Sequence, residues 1–523
     1  MKPLPTTVAA FFLVCAATIP QKALAFDPPA PKRMPNIIFL LADDLGYGEV
    51  SCFGQQKFQT PNIDRIAAEG MKLTQHYAGS SVCAPSRCSL LSARHNGHAY
   101  IRENSRGQFL TVKGPVGKEG QEPVPAGELT FPLTLKKLGY TSGCYGKWGL
   151  GGIGESGDPL KQGFDHFYGY ICQAVAHNYY PTHLWDDDTR VDLDNPYFAA
   201  HQALPKDADP NNPESYKPFL VGKQYAPDLI SDRALKFMDE NKDHPFFLYY
   251  STTAPHLALQ VPDDEHSKLR EFIQKFAPEA PYAGDRDYLP CQYPRATYAA
   301  MITRMDWEIG RILEKIKALG LSNDTIIVFT SDNGPLYDRL GGTDTEFFNG
   351  AAGLRGRKGN FYEGGFREPC VIEWPGAIKP GTVSDRVTGF EDWLPTFLEL
   401  AGHKSDTPAG IDGISFAPTL RGAEQAARPF LYRESPGYGG EQCVRAGDWK
   451  LLHKNVNPKK VGGEPVVTEL YDLATDTKEE HNVAAAHPDI VQKLGALMES
   501  QHTPSSLFPL TALGEKRATA AKE

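Results

Sequence analysis

The sequence predicts an α/β protein: a large, mostly parallel sheet lies between helices, and a smaller antiparallel sheet with one helix follows it. Three observations carry this. Residues 36–42 form an unbroken apolar run rich in branched side chains, the pattern of a central strand covered by helices on both faces. Residues 246–250 and 325–330 repeat that pattern. Past about residue 420 the runs shorten and gather around turns.

The elements follow in chain order. Residues 1–25 read as an export signal: Lys2, an apolar stretch from residue 8 to 17, then Ala23-Leu24-Ala25 as a small-x-small cleavage site. A lipoprotein signal on Cys15 is the rival, disfavoured by bulky Val14. No later run reaches the roughly 20 apolar residues of a membrane span, so the mature chain, from Phe26, is expected to be soluble and secreted or periplasmic. Strand 36–42 ends at Asp43-Asp44, which places two carboxylates at the carboxyl edge of the sheet, where open α/β folds bind ligands. A helix from Thr60-Pro61 through Glu69 stops at Gly70. Strand 246–250 ends near Pro255-His256. A helix over about 296–319 shows an apolar face of Met301, Met305, Ile309, Ile312 and Ile316, with Gly320 as its C-cap. Strand 325–330 then delivers Asp332-Asn333. Three apolar strands that each end in a polar cluster point to one site on one sheet edge.

Residues 443–445 and 449–453 read as strands around the Gly447-Asp448 turn, 469–473 as another, and 488–500 as a helix. The division expected is a catalytic domain over 26–420, a C-terminal α+β subdomain over 421–510 and a mobile polar tail over 511–523.

The net charge of −10 argues against non-specific nucleic-acid binding. An anionic substrate then needs a local basic pocket. Nine cysteines are present, and their pairing is not legible from spacing; Cys88 reads equally as a buried small hydrophobe. A lone Asp-Asp pair is most simply solvated, and Asp-Asn-Gly commonly makes turns. Taken together, Asp43, Asp44, Asp332 and Asn333 offer three carboxylates and one amide oxygen, a hard-oxygen set suited to calcium or magnesium.

Cys83-Ala84-Pro85-Ser86-Arg87 is the most specific string in the chain. Read with Asp43-Asp44 upstream and Ser331-Asp332-Asn333-Gly334 downstream, it resembles the signature of the type I, formylglycine-dependent sulfatases, arylsulfatase-like members of the alkaline phosphatase superfamily. The resemblance runs from about residue 35 to 475. It implies the mixed, mostly parallel sheet of that superfamily and oxidation of Cys83 to formylglycine by a formylglycine-generating enzyme. It also implies one calcium ion held by Asp43, Asp44, Asp332, Asn333 and the modified Cys83.

By the same resemblance, Arg87, Lys147 (Gly146-Lys147-Trp148) and Lys358 (Gly356-Arg357-Lys358-Gly359) are expected to hold the sulfate, and His256 (Ala254-Pro255-His256), near its natural pKa, to protonate the leaving alcohol. Arg94 is an expected support for the nucleophile, although Ser92-Ala93 departs from the family's wording. Gly149 stands where the family has a histidine that helps break down the covalent intermediate. His177 is a candidate either to compensate or to touch substrate, against an ordinary loop histidine.

The function expected is hydrolysis of a sulfate ester through a covalent sulfoenzyme intermediate. The Gly-Lys-Trp-Gly variant with His177-Asn178-Tyr179-Tyr180-Pro181 looks like bacterial sulfatases that act on sulfated galactose-type glycans. The competing readings are a phosphatase, phosphodiesterase or phosphonate hydrolase of the same superfamily, and a non-catalytic glycan-binding protein. Loops 165–190 and 285–293 are the expected specificity elements. In them Tyr179, Tyr180 and Trp185 are either sugar-stacking or buried aromatics.

Overall fold

The computed structural model describes residues 33–105, 119–220, 222–337 and 339–517. The expected signal segment therefore lies outside the described residues. Eleven strands form one sheet: β1 (Asn36–Ala42), β2 (Met71–Tyr77), β3 (Thr141–Lys147), β4 (His166–Tyr170), β5 (His183–Asp186), β6 (Thr189–Asp192), β7 (Phe246–Ser251), β8 (Thr325–Ser331), β9 (Arg367–Glu373), β10 (Thr382–Ser384) and β11 (Thr388–Gly389). Their order is β10-β2-β9-β8-β1-β7-β3-β4-β5-β6, with β11 also on β2. The centre, β8-β1-β7-β3-β4, is wholly parallel, while β9 runs antiparallel to both neighbours and β5 and β6 make an antiparallel edge.

All seven residues of β1 are buried, so both faces must be covered. One face packs into a cluster around Phe39, Phe247, Trp393 and Phe397. The other packs around Leu40, Leu248, Ile309 and Ile312. The helices that cover the sheet include α1 (Pro61–Glu69), α2 (Cys83–Ser92), α3 (Thr130–Lys137), α4 (Ala226–Asn241), α5 (Leu269–Phe276) and α6 (Pro294–Ala318). In α6 the expected apolar stripe is buried as read, Met301 through Ile316.

The second sheet is antiparallel, β12 (Leu431–Ser435), β13 (Glu441–Ala446), β14 (Trp449–Lys454) and β15 (Val467–Asp472) in sequence order, with the helix Pro488–Ser500 against β13 and β14. It is docked by buried ion pairs. Lys450 Nζ lies 2.9 Å from Glu363 and 2.8 Å from Glu479, and Arg433 Nη2 lies 2.9 Å from Glu391. The start of the expected mobile tail is tied down, because Thr511 N donates to Asn457 Oδ1 at 2.7 Å and Glu515 pairs with His502. The eight cysteines among the described residues are all free thiols, Cys88 buried among them. No helix among the described residues is long and apolar enough to cross a membrane.

Candidate active site

The parallel centre of the sheet builds the site by ending four strands at one edge. β1 delivers Asp43 and Asp44, β8 delivers Asp332 and Asn333, β3 ends on Lys147, and the turn after β7 presents His256. The ends are stitched together: Asp43 N donates to Ala254 O at 3.1 Å, and Asp44 N to Asp332 Oδ1 at 3.1 Å. Asp44 takes φ +65°, a left-handed conformation unusual outside glycine. Cys83 is the first residue of α2 and fully buried.

Around the Cys83 sulfur lie Asp43 Oδ1 at 3.5 Å, Asp44 Oδ1 at 3.7 Å and Lys358 Nζ at 3.1 Å. Arg87, one turn along α2, forks onto Asp332 Oδ2 through Nε at 3.0 Å and Nη2 at 2.8 Å. Its Nη1 donates to Lys147 O at 2.9 Å and bonds Ser251 Oγ. Lys147 Nζ sits 2.7 Å from Asp43 Oδ2, and Lys358 Nζ 2.6 and 2.8 Å from the two oxygens of Asp44. Three buried carboxylates thus face three buried cations.

The electrostatics follow from that balance. Burial alone raises a carboxyl pKa; at Asp43 it is outweighed by Lys147, His256, Arg87 and Lys358, which hold the group far below the usual range. At Asp332 burial wins, with Asp43 adding to it, and the pKa rises to about 6. Burial pushes the Cys83 thiol up to about 12. Burial likewise lowers His256 to about 4, with Asp44 opposing, so its expected near-natural value does not hold in this site. His256 Nδ1 is 2.7 Å from Leu257 O, which puts the proton there and leaves Nε2, 3.4 Å from Asp44 Oδ2, unprotonated.

The donor set fits a hard cation. Every candidate ligand atom of Asp43, Asp44, Asp332 and Asn333 is oxygen, and Asn333 Oδ1 is buried without a hydrogen-bond partner while its Nδ2 donates to Asp44 at 2.7 Å. An orphaned buried carbonyl oxygen beside the Asp44 carboxylate has the chemistry of a hard-cation ligand.

A cavity of about 190 Å3 opens over Cys83, His256 and Lys358. His177 lines it, stacked on His256 with centroids 4.6 Å apart. Arg94 does not join: its guanidinium turns outward to Gly410 O at 3.0 Å and Glu128 at 3.4 Å. Tyr179 is no sugar platform either; it is fully buried and its hydroxyl bonds the carbonyls of Thr253 and His256. Trp185 is half-buried and donates to Glu119. Sequence reasoning missed Asn104, Gln121, Gln173, Tyr337 and Tyr438 on the cavity wall. None of these sits in a motif, but Gln173 falls in the flagged 165–190 loop, and Tyr288, also on the wall, in the flagged 285–293 loop.

Fold and site together define a hydrolase of the alkaline phosphatase superfamily, and comparison with known proteins narrows it. The family model described as Sulfatase matches residues 35–403, and that for the C-terminal region of N-sulphoglucosamine sulphohydrolase matches residues 357–503. The chain belongs to the sulfatase family and is a sulfuric ester hydrolase. It is 31% identical to arylsulfatase A of Homo sapiens over 500 residues, covering 90% of this chain and 88% of that protein. It is 29% identical to the N-acetylgalactosamine-6-O-sulfatase of Bacteroides thetaiotaomicron over 522 residues, covering 90% and 94%. Among solved structures, Ps i-CgsB superposes with a TM-score of 0.67 at 26% identity, covering 90% and 92%.

Proposed function

We propose that this enzyme removes sulfate from a sulfated carbohydrate of the galactose type, using one calcium ion and a formylglycine that a formylglycine-generating enzyme makes from Cys83. The observation that carries the reading is the meeting of Cys83 with three carboxylates and three cations at one sheet edge. Asp43, Asp44, Asp332 and Asn333 would hold the calcium, whose positive charge would stabilise an anionic oxygen and ease loss of a hydroxyl proton. Hydrated formylglycine would supply two hydroxyls on one carbon, one able to bond sulfur and the other able to release the sulfate. An unmodified Cys83, its thiol held neutral by burial, has neither property.

The other roles belong to the chain's own side chains. Lys147, Lys358 and Arg87 hold the sulfate oxygens, and the two lysines, now on Asp43 and Asp44, are released to do so when those carboxylates bind an ion. Preorganised charge of this kind is the main lever in transferring an anionic group. Arg87 also fixes Asp332 through its fork. His256 faces the departing oxygen. A bound sulfate offsets the lysine charges that help depress its pKa, and a proton on Nε2 then passes to the alcohol.

The galactose-type substrate is supported by the N-acetylgalactosamine-6-O-sulfatase relative. The proposed export signal, residues 1–25, puts the work outside the cytoplasm, with residues 26–420 as catalytic domain and 421–510 as its docked partner. The test is sulfate release from a panel of sulfated galactans, glycosaminoglycan fragments and an aryl sulfate, with matched phosphate esters as controls. Release from a galactose-type sulfate is expected; turnover of the phosphates alone would overturn the reading.

A further inference from the structure

The sulfate chemistry leaves two neutral groups of the cavity unused. Gln173 lines it, is 7% exposed, and its Nε2 has no hydrogen-bond partner. Its backbone N–H donates to Gln121 Oε1 at 3.1 Å, so the main chain is anchored while the carboxamide is unspent. The side chain fills a notch: a Cβ on Gly149, which has φ +85°, would lie 2.7 Å from both Cγ and Nε2 of Gln173. A buried N–H without an acceptor costs about 1–3 kcal/mol, and a ligand oxygen in the cavity relieves that cost.

His177 shares the cavity and heads a chain of hydrogen bonds. Its Nδ1 is 2.9 Å from His201 Nε2, and His201 Nδ1 is 2.7 Å from Asp287 Oδ1. A carboxylate only accepts, so His201 carries its proton on Nδ1. In that tautomer His201 Nε2 accepts from His177 Nδ1–H. That leaves His177 Nε2 as a bare lone pair. Burial, with His256 and Lys147 adding to it, holds His177 well below its ordinary pKa and therefore neutral. Stacking on His256 and contact with Tyr288 fix the ring plane.

We infer that Gln173 Nε2 and His177 Nε2 form a donor–acceptor pair that recognises a free hydroxyl beside the sulfate ester, with His201 and Asp287 as positioning residues. A hydroxyl accepts from one partner and donates to the other, which is what this pair requires. The inference rests on the sulfate-ester reading of the pocket and narrows its substrate class. Sulfated sugars carry a free hydroxyl within a few bonds of the ester; simple aryl sulfates do not. Sites built to bond a substrate hydroxyl reject the analogue lacking it strongly, because buried groups are left unpaired.

The probes are galactose and N-acetylgalactosamine 6-sulfates and their analogues with the nearest hydroxyl replaced by hydrogen. Two readouts apply: kcat/KM of the matured, calcium-loaded enzyme, and calorimetric Kd on the Cys83→Ala protein, which requires no turnover. Wild type should prefer the hydroxyl-bearing ligand by about 100-fold or more in both. Gln173→Leu and His201→Ala should each lower that ratio by about tenfold, the worth of one lost hydrogen bond. His201→Gln, whose carboxamide oxygen still accepts from His177 Nδ1–H, should restore most of it. Equal wild-type preference for both ligands, or variants that weaken both equally, would overturn the inference while leaving sulfate hydrolysis standing. Failure of every sulfate ester, the aryl sulfate included, would overturn the sulfate-ester reading and this inference with it.

Discussion

Arg87→Lys keeps the charge at the centre of the site and removes its geometry. The guanidinium makes two bonds to Asp332 Oδ2, at 3.0 and 2.8 Å, one to Lys147 O at 2.9 Å and one to Ser251 Oγ, all buried. An ammonium is a single point on a flexible stem and cannot reach both the carboxylate and the carbonyl. At about 1.5–3 kcal/mol for each hydrogen bond to a charged group, losing two of these four should cost the fold roughly 3–5 kcal/mol, the range for a broken buried pair. The site should suffer as well. Burial already raises Asp332 to about 6, with Arg87 first and Lys147 second among the groups that restrain it, so the lysine variant should also bind the proposed calcium more weakly at pH 7. Denaturant unfolding followed by circular dichroism reads the first effect, and calcium titration of folded protein reads the second. A variant with the wild-type midpoint and wild-type calcium affinity would refute the claim that the fork, and not only its charge, organises the site.

Two further predictions follow from buried carboxyls. The proposed calcium site needs Asp332 ionised, so with its pKa at about 6 the apparent affinity should be about tenfold weaker at pH 5 than at pH 7, as protons compete for the ligand; a pH-independent affinity between 5 and 7 would contradict this. Glu308, fully buried and accepting from Tyr250 at 3.0 Å, is raised by burial to about 8. A carboxyl raised in the folded state adds stability below its unfolded value, here 4.5, which is lost as pH rises toward 8, at about 1.4 kcal/mol per pH unit. Glu308→Gln should remove that slope, read as denaturant midpoints at pH 5.5 and 8; an unchanged slope would show that Glu308 is ionised in the fold.

What was legible in the sequence was what depends on continuous burial. β1, β7 and β8 are solid apolar runs because helices cover both their faces, and their ends therefore located Asp43, Asp44, His256 and Asp332 at one edge. β3 was hidden because two glycines interrupt it, and both are demanded by packing: a Cβ on Gly146 would meet Ser251 O at 1.9 Å, and one on Gly143 the Tyr145 ring at 2.5 Å. β12 was hidden because Arg433 and Glu434 lie in its buried stretch, satisfied by Glu391 and Arg102 on distant segments. The motif residues converge as their order suggested, save Arg94, whose guanidinium finds Glu128 instead. Gln173 and His177 share one segment, while His201 and Asp287 come from two others, and their meeting leaves no periodic trace.

The central claim is that turnover depends on the aldehyde made from Cys83. The direct measurement is the mass of the peptide carrying residue 83, from protein co-expressed with a formylglycine-generating enzyme, taken alongside sulfate release from an aryl sulfate. The account predicts formylglycine at that position, a rate proportional to its fraction across preparations, and no turnover by Cys83→Ala. Full sulfate release by Cys83→Ala, or by protein carrying only the thiol, would contradict it.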